Sequence, residues 1–353
     1  MLQISHIIVA ILAFPLALAH SGETAEMVEH EMLMRGLQHA RASTALAQCR
    51  DAPHAVEMRR QAAMRRADKA DKLRAERRLL AERMSHQTRD LEDLAIYVNK
   101  THNQTYLGYD LNNPETTIFG AGSTCALVPE TIIGPFWVTG EAIRKDITEG
   151  QAGIKMQLDV QFVNMHTCQP VPKLVVEAWQ ANSTGVYSGF LNGQDGINTT
   201  WLRGVQFSDD FGVATFDTIF PGHYDDRTNH IHLLAQTDYR VEANNTYTGG
   251  RALHIGQLYF EDALVKAVER SHPYNLSDIA ITSWDKDGFM KDEATSQYDP
   301  FVQYVQLGKS VEDGLLAWIE VALDFNSDHT DATTPGAHYY SDGGHLADEG
   351  HGH

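Results

Sequence analysis

The hydrophobic and polar positions of this chain follow two different patterns. From Gly22 to about Tyr97 the residues are those of helix: Ala, Glu, Arg, Leu and Met recur, and one proline, Pro53, is placed to break the segment in two. Ala70, Leu73, Leu80, Met84, Leu91 and Leu94 fall on a seven-residue repeat that Arg77 and Gln87 interrupt. That spacing predicts either a short coiled coil or one face docked on a neighbouring domain. Asn99 to Ser123 is polar, contains Asn112-Asn113-Pro114 and reads as a linker.

From about Cys125 the period becomes two. Ile154 to Val163 alternates as a half-buried strand should, and Leu174 to Trp179 does so less cleanly. Val213 to Ile219 and His230 to Ala235 are further strand candidates. Phe301 to Leu307 and Leu315 to Phe325 read as closing strands, with helix open as an alternative for the second. Many short strands joined by Gly, Pro and Asn turns predict a mainly β, two-sheet β-sandwich preceded by an α-helical N-terminal segment. The expected organisation is a helical segment over 20–98, a linker over 99–123, a sandwich over 124–330 and a disordered His/Gly-rich tail over 331–353.

The extreme N-terminus adds an address. An apolar run from Ile7 to Leu18 ends in Ala17-Leu18-Ala19, small residues where signal peptidase cuts, so 1–19 reads as a signal peptide and the mature chain as secreted and extracellular. Six Asn-x-Ser/Thr sequons, at Asn99, Asn103, Asn182, Asn198, Asn244 and Asn275, fit a glycoprotein. Three cysteines allow one intramolecular disulfide. Cys125 and Cys168 flank the β-rich region and are the expected pair, with Cys49 left over.

Charge narrows the partners. The 353 residues carry 28 Lys plus Arg against 47 Asp plus Glu, a formal −19, which disfavours nucleic acid. Residues 50–90 run the other way, with twelve basic and seven acidic side chains. Their +5 against −24 elsewhere favours docking of the helices on an acidic domain, their own or that of a second copy in a homodimer. No membrane association is expected once the signal is removed.

The chemistry is concentrated in Phe220-Pro221-Gly222-His223-Tyr224-Asp225-Asp226-Arg227-Thr228-Asn229-His230-Ile231-His232. On a strand, His-x-His sends both imidazoles to one face and Ile231 to the other, which suits two metal ligands. A cupin would need an acid soon afterwards, and Leu233-Leu234-Ala235-Gln236-Thr237 has none. A zinc hydrolase would need a third His, Asp or Glu, and Asp225 and Asp226 are available.

Two tyrosines then decide between these readings. Gly185-Val186-Tyr187-Ser188 follows a strand ending in Trp179, and Pro221-Gly222-His223-Tyr224 leads into Arg227-x-x-His230-x-His232. Upstream lies Ile132-Ile133-Gly134-Pro135-Phe136-Trp137, and downstream His254-Ile255-Gly256-Gln257-Leu258-Tyr259-Phe260. In this order the motifs resemble the intradiol ring-cleavage dioxygenases, specifically their secreted fungal branch, over roughly Cys125 to Asp324. Ala181 stands where secreted relatives often have cysteine.

The resemblance implies a non-haem Fe(III) held by Tyr187, Tyr224, His230 and His232. Catechol-type diols would be cleaved with O2 to cis,cis-muconate-type diacids. Tyr224, Arg227 and Gln257 would act in catalysis, and Ile132, Gly134 and Pro135 would line the substrate pocket. Two phenolates and two imidazoles form a hard, anionic set suited to a ferric ion. A metal-binding or transthyretin-like sandwich without oxygenase activity is the alternative.

Overall fold

The computed structural model describes residues 49, 52–77, 101–105, 131–190, 196–290 and 299–347. The signal peptide, the later repeat positions from Leu80 to Leu94 and Cys125 lie outside the described residues.

Helix α1, Pro53–Arg77, begins with its proline at the first helical position, where a missing N–H leaves no bond unmade. Cys49 is itself helical and Ala52 is not, so the helical segment breaks just before Pro53, as expected. The strands are β1 (Val138–Thr139), β2 (Lys155–Asn164), β3 (Val175–Trp179), β4 (Arg203–Phe207), β5 (Val213–Ile219), β6 (His230–Val241) and β7 (Tyr247–Tyr259). A short helix α2 (Asp262–Val268) precedes β8 (Gln303–Gln306), β9 (Leu315–Leu323), β10 (Ala337–Tyr340) and β11 (Gly343–Leu346). Leu315 onward is strand, not helix.

Two four-stranded sheets, ordered β5-β2-β9-β8 and β4-β3-β6-β7, form the sandwich. Alternate residues of facing strands make the core between them: Met156, Leu158, Val160 and Phe162 of β2, Ala317 and Ile319 of β9, Val176 and Ala178 of β3, and Ile231, Leu233 and Ala235 of β6. The pairings are antiparallel except that of β2 with β9.

Both outer faces are covered, by different means. On the first sheet, Ala63, Ala67, Ala70 and Leu73 of α1 pack on Val305, Leu307, Leu316 and Trp318. The small alanines bring the helix close enough for charge pairing at its edges. Lys69 reaches Asp159 at 2.6 Å and Arg66 reaches Glu320 at 3.5 Å. Strand β2 is therefore buried on both faces, against the half-exposed strand its alternation predicts. The docked reading of the helical repeat holds for this segment, on the chain's own sheet.

Three expectations need correction. The disulfide joins Cys49 to Cys168, with Cα atoms 5.5 Å apart, and not Cys125 to Cys168. The docked helix brings Cys49 and Ala55 onto the turn that follows β2. Within the predicted linker, residues 101–105 run along β8, with Tyr304 N–H donating to the His102 carbonyl and Gln104 N–H to the Tyr304 carbonyl. Within the predicted tail, β10 and β11 pair as a hairpin, and β10 pairs in parallel with β1. Their Gly- and His-rich composition resembles that of a solvated tail, yet backbone pairing needs no apolar side chains.

Candidate active site

The outer face of the second sheet carries the chemistry. Because side chains alternate, Ile231 enters the sandwich core while His230 and His232 stand on the far side. Trp179 on β3 and Gln257 on β7 are the direct neighbours of His232, and Arg203 on β4 extends the same row. Tyr259 is the partner of His230.

Two loops add the tyrosines. Asn182 organises the first: its side-chain oxygen accepts from Thr184 N–H and Oγ1 and from Val186 N–H, shaping the turn before Tyr187. Gly185, at φ +84°, presses on the His223 carbonyl, where a Cβ would come within 2.1 Å. The two tyrosine-bearing segments can thus touch backbone to backbone. The second loop turns tightly at 224–227, where Arg227 N–H donates to the Tyr224 carbonyl and returns the guanidinium toward the phenol. Glu269 fixes this loop by pairing with His223 Nδ1 at 2.8 Å and accepting from Asn229 Nδ2 at 2.9 Å.

The four predicted ligand side chains converge. His230 Nδ1 lies 2.7 Å from the Thr228 carbonyl and donates to it, leaving the Nε2 lone pair to face the site. That Nε2 lies 3.1 Å from His232 Nε2 and 3.2 Å from the Tyr224 hydroxyl. The Tyr187 ring stands 5.5 Å from that of Tyr224 and 6.1 Å from that of His232. Its hydroxyl is buried without a well-formed hydrogen bond, beside the Tyr224 phenol. Trp179 stacks on His232 at 4.9 Å and Phe136 on Tyr187 at 4.4 Å, so both rings are held from behind.

The electrostatics of the four side chains suit a cation. Burial drives both histidines well below their ordinary value, helped by the nearby Arg227, so their rings are neutral lone-pair donors. Burial also raises Tyr187 and Tyr224, while Arg227 pulls both back. Two facing lone pairs and a buried, poorly bonded phenol would be satisfied together by one metal ion. Among the described residues no group of three or more His, Cys, Asp or Glu side chains could hold a metal. A metal here therefore needs the phenols. Asp225 and Asp226, the acids a zinc hydrolase would use, are exposed.

Arg227 and Gln257 also meet. Arg227 Nη2 donates to Gln257 Oε1 and, at 3.1 Å, to the Tyr259 hydroxyl, which itself donates to Gln257 Oε1 at 2.9 Å. With its oxygen so engaged, Gln257 keeps a buried amide Nε2 without a partner. Of the predicted pocket residues, Gly134 lies on the His232 ring, where a Cβ would sit 3.1 Å from Cε1. Ile132 is half-buried and Pro135 exposed, with the Pro135 carbonyl against Gly336 of the C-terminal hairpin.

Sequence reasoning passed over Arg203. Fully buried, it donates to the Phe136 carbonyl and to the carbonyl and hydroxyl of Ser188, joining the Pro135 and Tyr187 segments. Tyr259 was legible in principle, since it lies two residues from Gln257 and shares its face of β7. Asp287, which pairs with Arg227 at 3.0 Å, has no spacing signal in the sequence.

Residues 132–267 match the family model Dioxygenase_C, described as dioxygenase. A solved intradiol ring-cleavage dioxygenase from Tetranychus urticae is 27% identical, covering 58% of this chain and 98% of its own, with a TM-score of 0.49. The dioxygenase domain of a carbohydrate-binding fusion protein from Streptomyces sp. SirexAA-E is 22% identical over 56% of this chain and 98% of its own, at a TM-score of 0.37. A hydroxyquinol 1,2-dioxygenase from Pseudomonas putida DLL-E4 is 20% identical over 59% of this chain and 69% of its own, at 0.38. No curated protein matches. The matched segment contains Tyr187, Tyr224, Arg227, His230, His232 and Gln257, so the region of this chain that is similar to the dioxygenase model is the one that carries the converging side chains.

Proposed function

We propose that the protein is an exported, non-haem Fe(III) intradiol dioxygenase that cleaves a catechol-type diol with O2 to a cis,cis-muconate-type diacid. The observation that carries this reading is the convergence of two phenols and two imidazole Nε2 atoms beside a buried arginine. A ferric ion held by Tyr187, Tyr224, His230 and His232 would supply Lewis acidity toward the two catechol oxygens and make the ring reactive to O2.

The protein's own groups divide the remaining work. A catechol must shed protons as it binds, and Tyr224, the less buried phenol, is placed to take one. Arg227 Nη1, 3.5 Å from the Tyr224 hydroxyl, offers positive charge where negative charge gathers on the substrate. The unpartnered Gln257 amide is a preorganised hydrogen-bond donor for an oxygen that becomes anionic. Phe136, stacked on Tyr187 and edge-on to Tyr224, keeps an apolar wall beside both phenols.

Export is supported by the apolar N-terminal run and by the Cys49–Cys168 disulfide, which an oxidising compartment sustains. Oxygen uptake on a panel of catechol, hydroxylated and alkylated catechols, with product identification, tests the activity. One equivalent of O2 consumed per diacid is expected. No uptake by iron-loaded protein would favour a metal-binding sandwich without oxygenase chemistry.

A further inference from the structure

Arg227 is held on nearly every side. Gln257 and Tyr259 take Nη2, as above. Asp287 Oδ2 accepts from Arg227 Nε at 3.0 Å and from Thr228 N–H at 2.9 Å. Asp287 Oδ1 accepts from the backbone N–H groups of Phe289 and Met290, at 3.0 and 3.1 Å. The Phe289 ring lies over the guanidinium, 4.6 Å from its central carbon. Only Nη1 remains, and its hydrogen bond goes to the Tyr224 hydroxyl at 3.5 Å.

The Asp287 carboxylate, almost fully buried, thus binds two things together. One oxygen holds Arg227 and the residue after it, and the other builds the turn that lays Phe289 on the guanidinium. Asp287 lies beyond the matched segment 132–267. A carboxylate kept only to neutralise a buried arginine needs no such second set of bonds. The arrangement selects one orientation in which a single N–H edge points into the site.

We propose that Asp287 is a positioning residue: it fixes Arg227 so that Nη1, and no other edge, is presented to the phenol of Tyr224 and to the bound diol. This rests on the dioxygenase reading given above. Asp287→Asn cannot satisfy all four donors, because one side of an amide is itself a donor. Either Arg227 Nε or the Phe289–Met290 turn loses its acceptor.

The test is a double-mutant cycle in the iron-loaded protein. Asp287→Asn alone is expected to lower kcat about 10- to 100-fold, with the anaerobic dissociation constant for catechol changed less than about 3-fold. In an Arg227→Gln background the same change is expected to alter kcat less than about 2-fold. Equal losses in both backgrounds would overturn the proposal, since a structural role does not depend on Arg227. If Asp287→Asn does not fold, Asp287→Glu serves: it keeps the charge but displaces the guanidinium, and wild-type kcat would overturn the proposal. Wild-type protein inert toward every catechol would instead contradict the functional reading. The crystal structure of whichever variant folds still decides the positioning question. Arg227 swung away from Tyr224 is expected, and Arg227 unmoved would overturn it.

Discussion

Arg203 donates through Nη2 to the carbonyl of Ser188 at 2.7 Å and through Nε to its hydroxyl at 2.9 Å. Ser188 follows Tyr187, so a buried cation on β4 fixes the backbone that carries one proposed ligand. The same guanidinium lies 3.9 Å from Glu141, whose oxygens have no hydrogen-bond partner. Arg203→Met should therefore destabilise the fold by about 2–5 kcal/mol and reduce iron content, because it leaves the buried Phe136 and Ser188 carbonyls without their donor. Urea denaturation with metal analysis checks this. An Arg203→Met variant with wild-type midpoint and iron would show that the loops hold Tyr187 unaided.

The four donors should not be equivalent. Tyr187 is buried beneath Phe136 and His232 is stacked on Trp179, so Tyr187→Phe or His232→Ala should lose iron or activity outright. Tyr224 is half-buried and accepts from Arg227, and Tyr224→Phe should retain iron but turn over slowly. Iron stoichiometry beside kcat separates these outcomes, and equal iron loss in every variant would contradict the division of labour.

Much of this site was legible because β structure makes alternation visible. His-x-His could only present both rings on one face, and the two Gly-containing tyrosine motifs marked turns beside it. What was not legible depends on long-range closure. The Cys49 pairing requires knowing that α1 docks on the first sheet. Arg203 reads as one more basic residue until β4 places it in the row with Trp179, His232 and Gln257. Residues 337–346 look solvated by composition, since hairpin pairing through backbone groups leaves little trace in side-chain hydropathy. The basic charge of α1 was informative about where it docks and silent about chemistry.

Stability should fall as pH rises above neutrality. Burial alone would lower His102, but Asp299 and Glu261 outweigh it and hold the imidazolium above the ordinary 6.5. A raised pKa in the folded state gives stabilisation that is complete below the unfolded value and is lost as pH rises through the folded one. Burial also pushes Glu141 up to about 8 and Glu177 up to about 7, so each opposes folding increasingly as pH rises from the ordinary 4.5 to that value. Urea midpoints should thus be higher at about pH 6 than at about pH 9, and His102→Asn should flatten part of that slope. An unchanged slope in the variant would remove His102 from the account.

The helix and the site lie on opposite outer faces of the sandwich, which separates stability from chemistry. A chain truncated to start near residue 115 loses α1, the 101–105 segment along β8 and the Cys49–Cys168 disulfide, and it exposes Trp318, Asp159 and Glu320. The disulfide alone should be worth on the order of 4 kcal/mol for a link across 119 residues. The truncated protein should be markedly less stable yet still bind iron and cleave catechol. A well-folded but iron-free product would mean that the helix helps to build the site.

Metal content and visible absorption of the purified full-length protein, measured together, test the central claim most directly. Two tyrosinates on a ferric ion should give about one iron per chain and a red colour from phenolate-to-iron charge transfer, displaced on anaerobic addition of catechol. Colourless protein that holds zinc, or that takes up no iron when it is offered, would contradict the account.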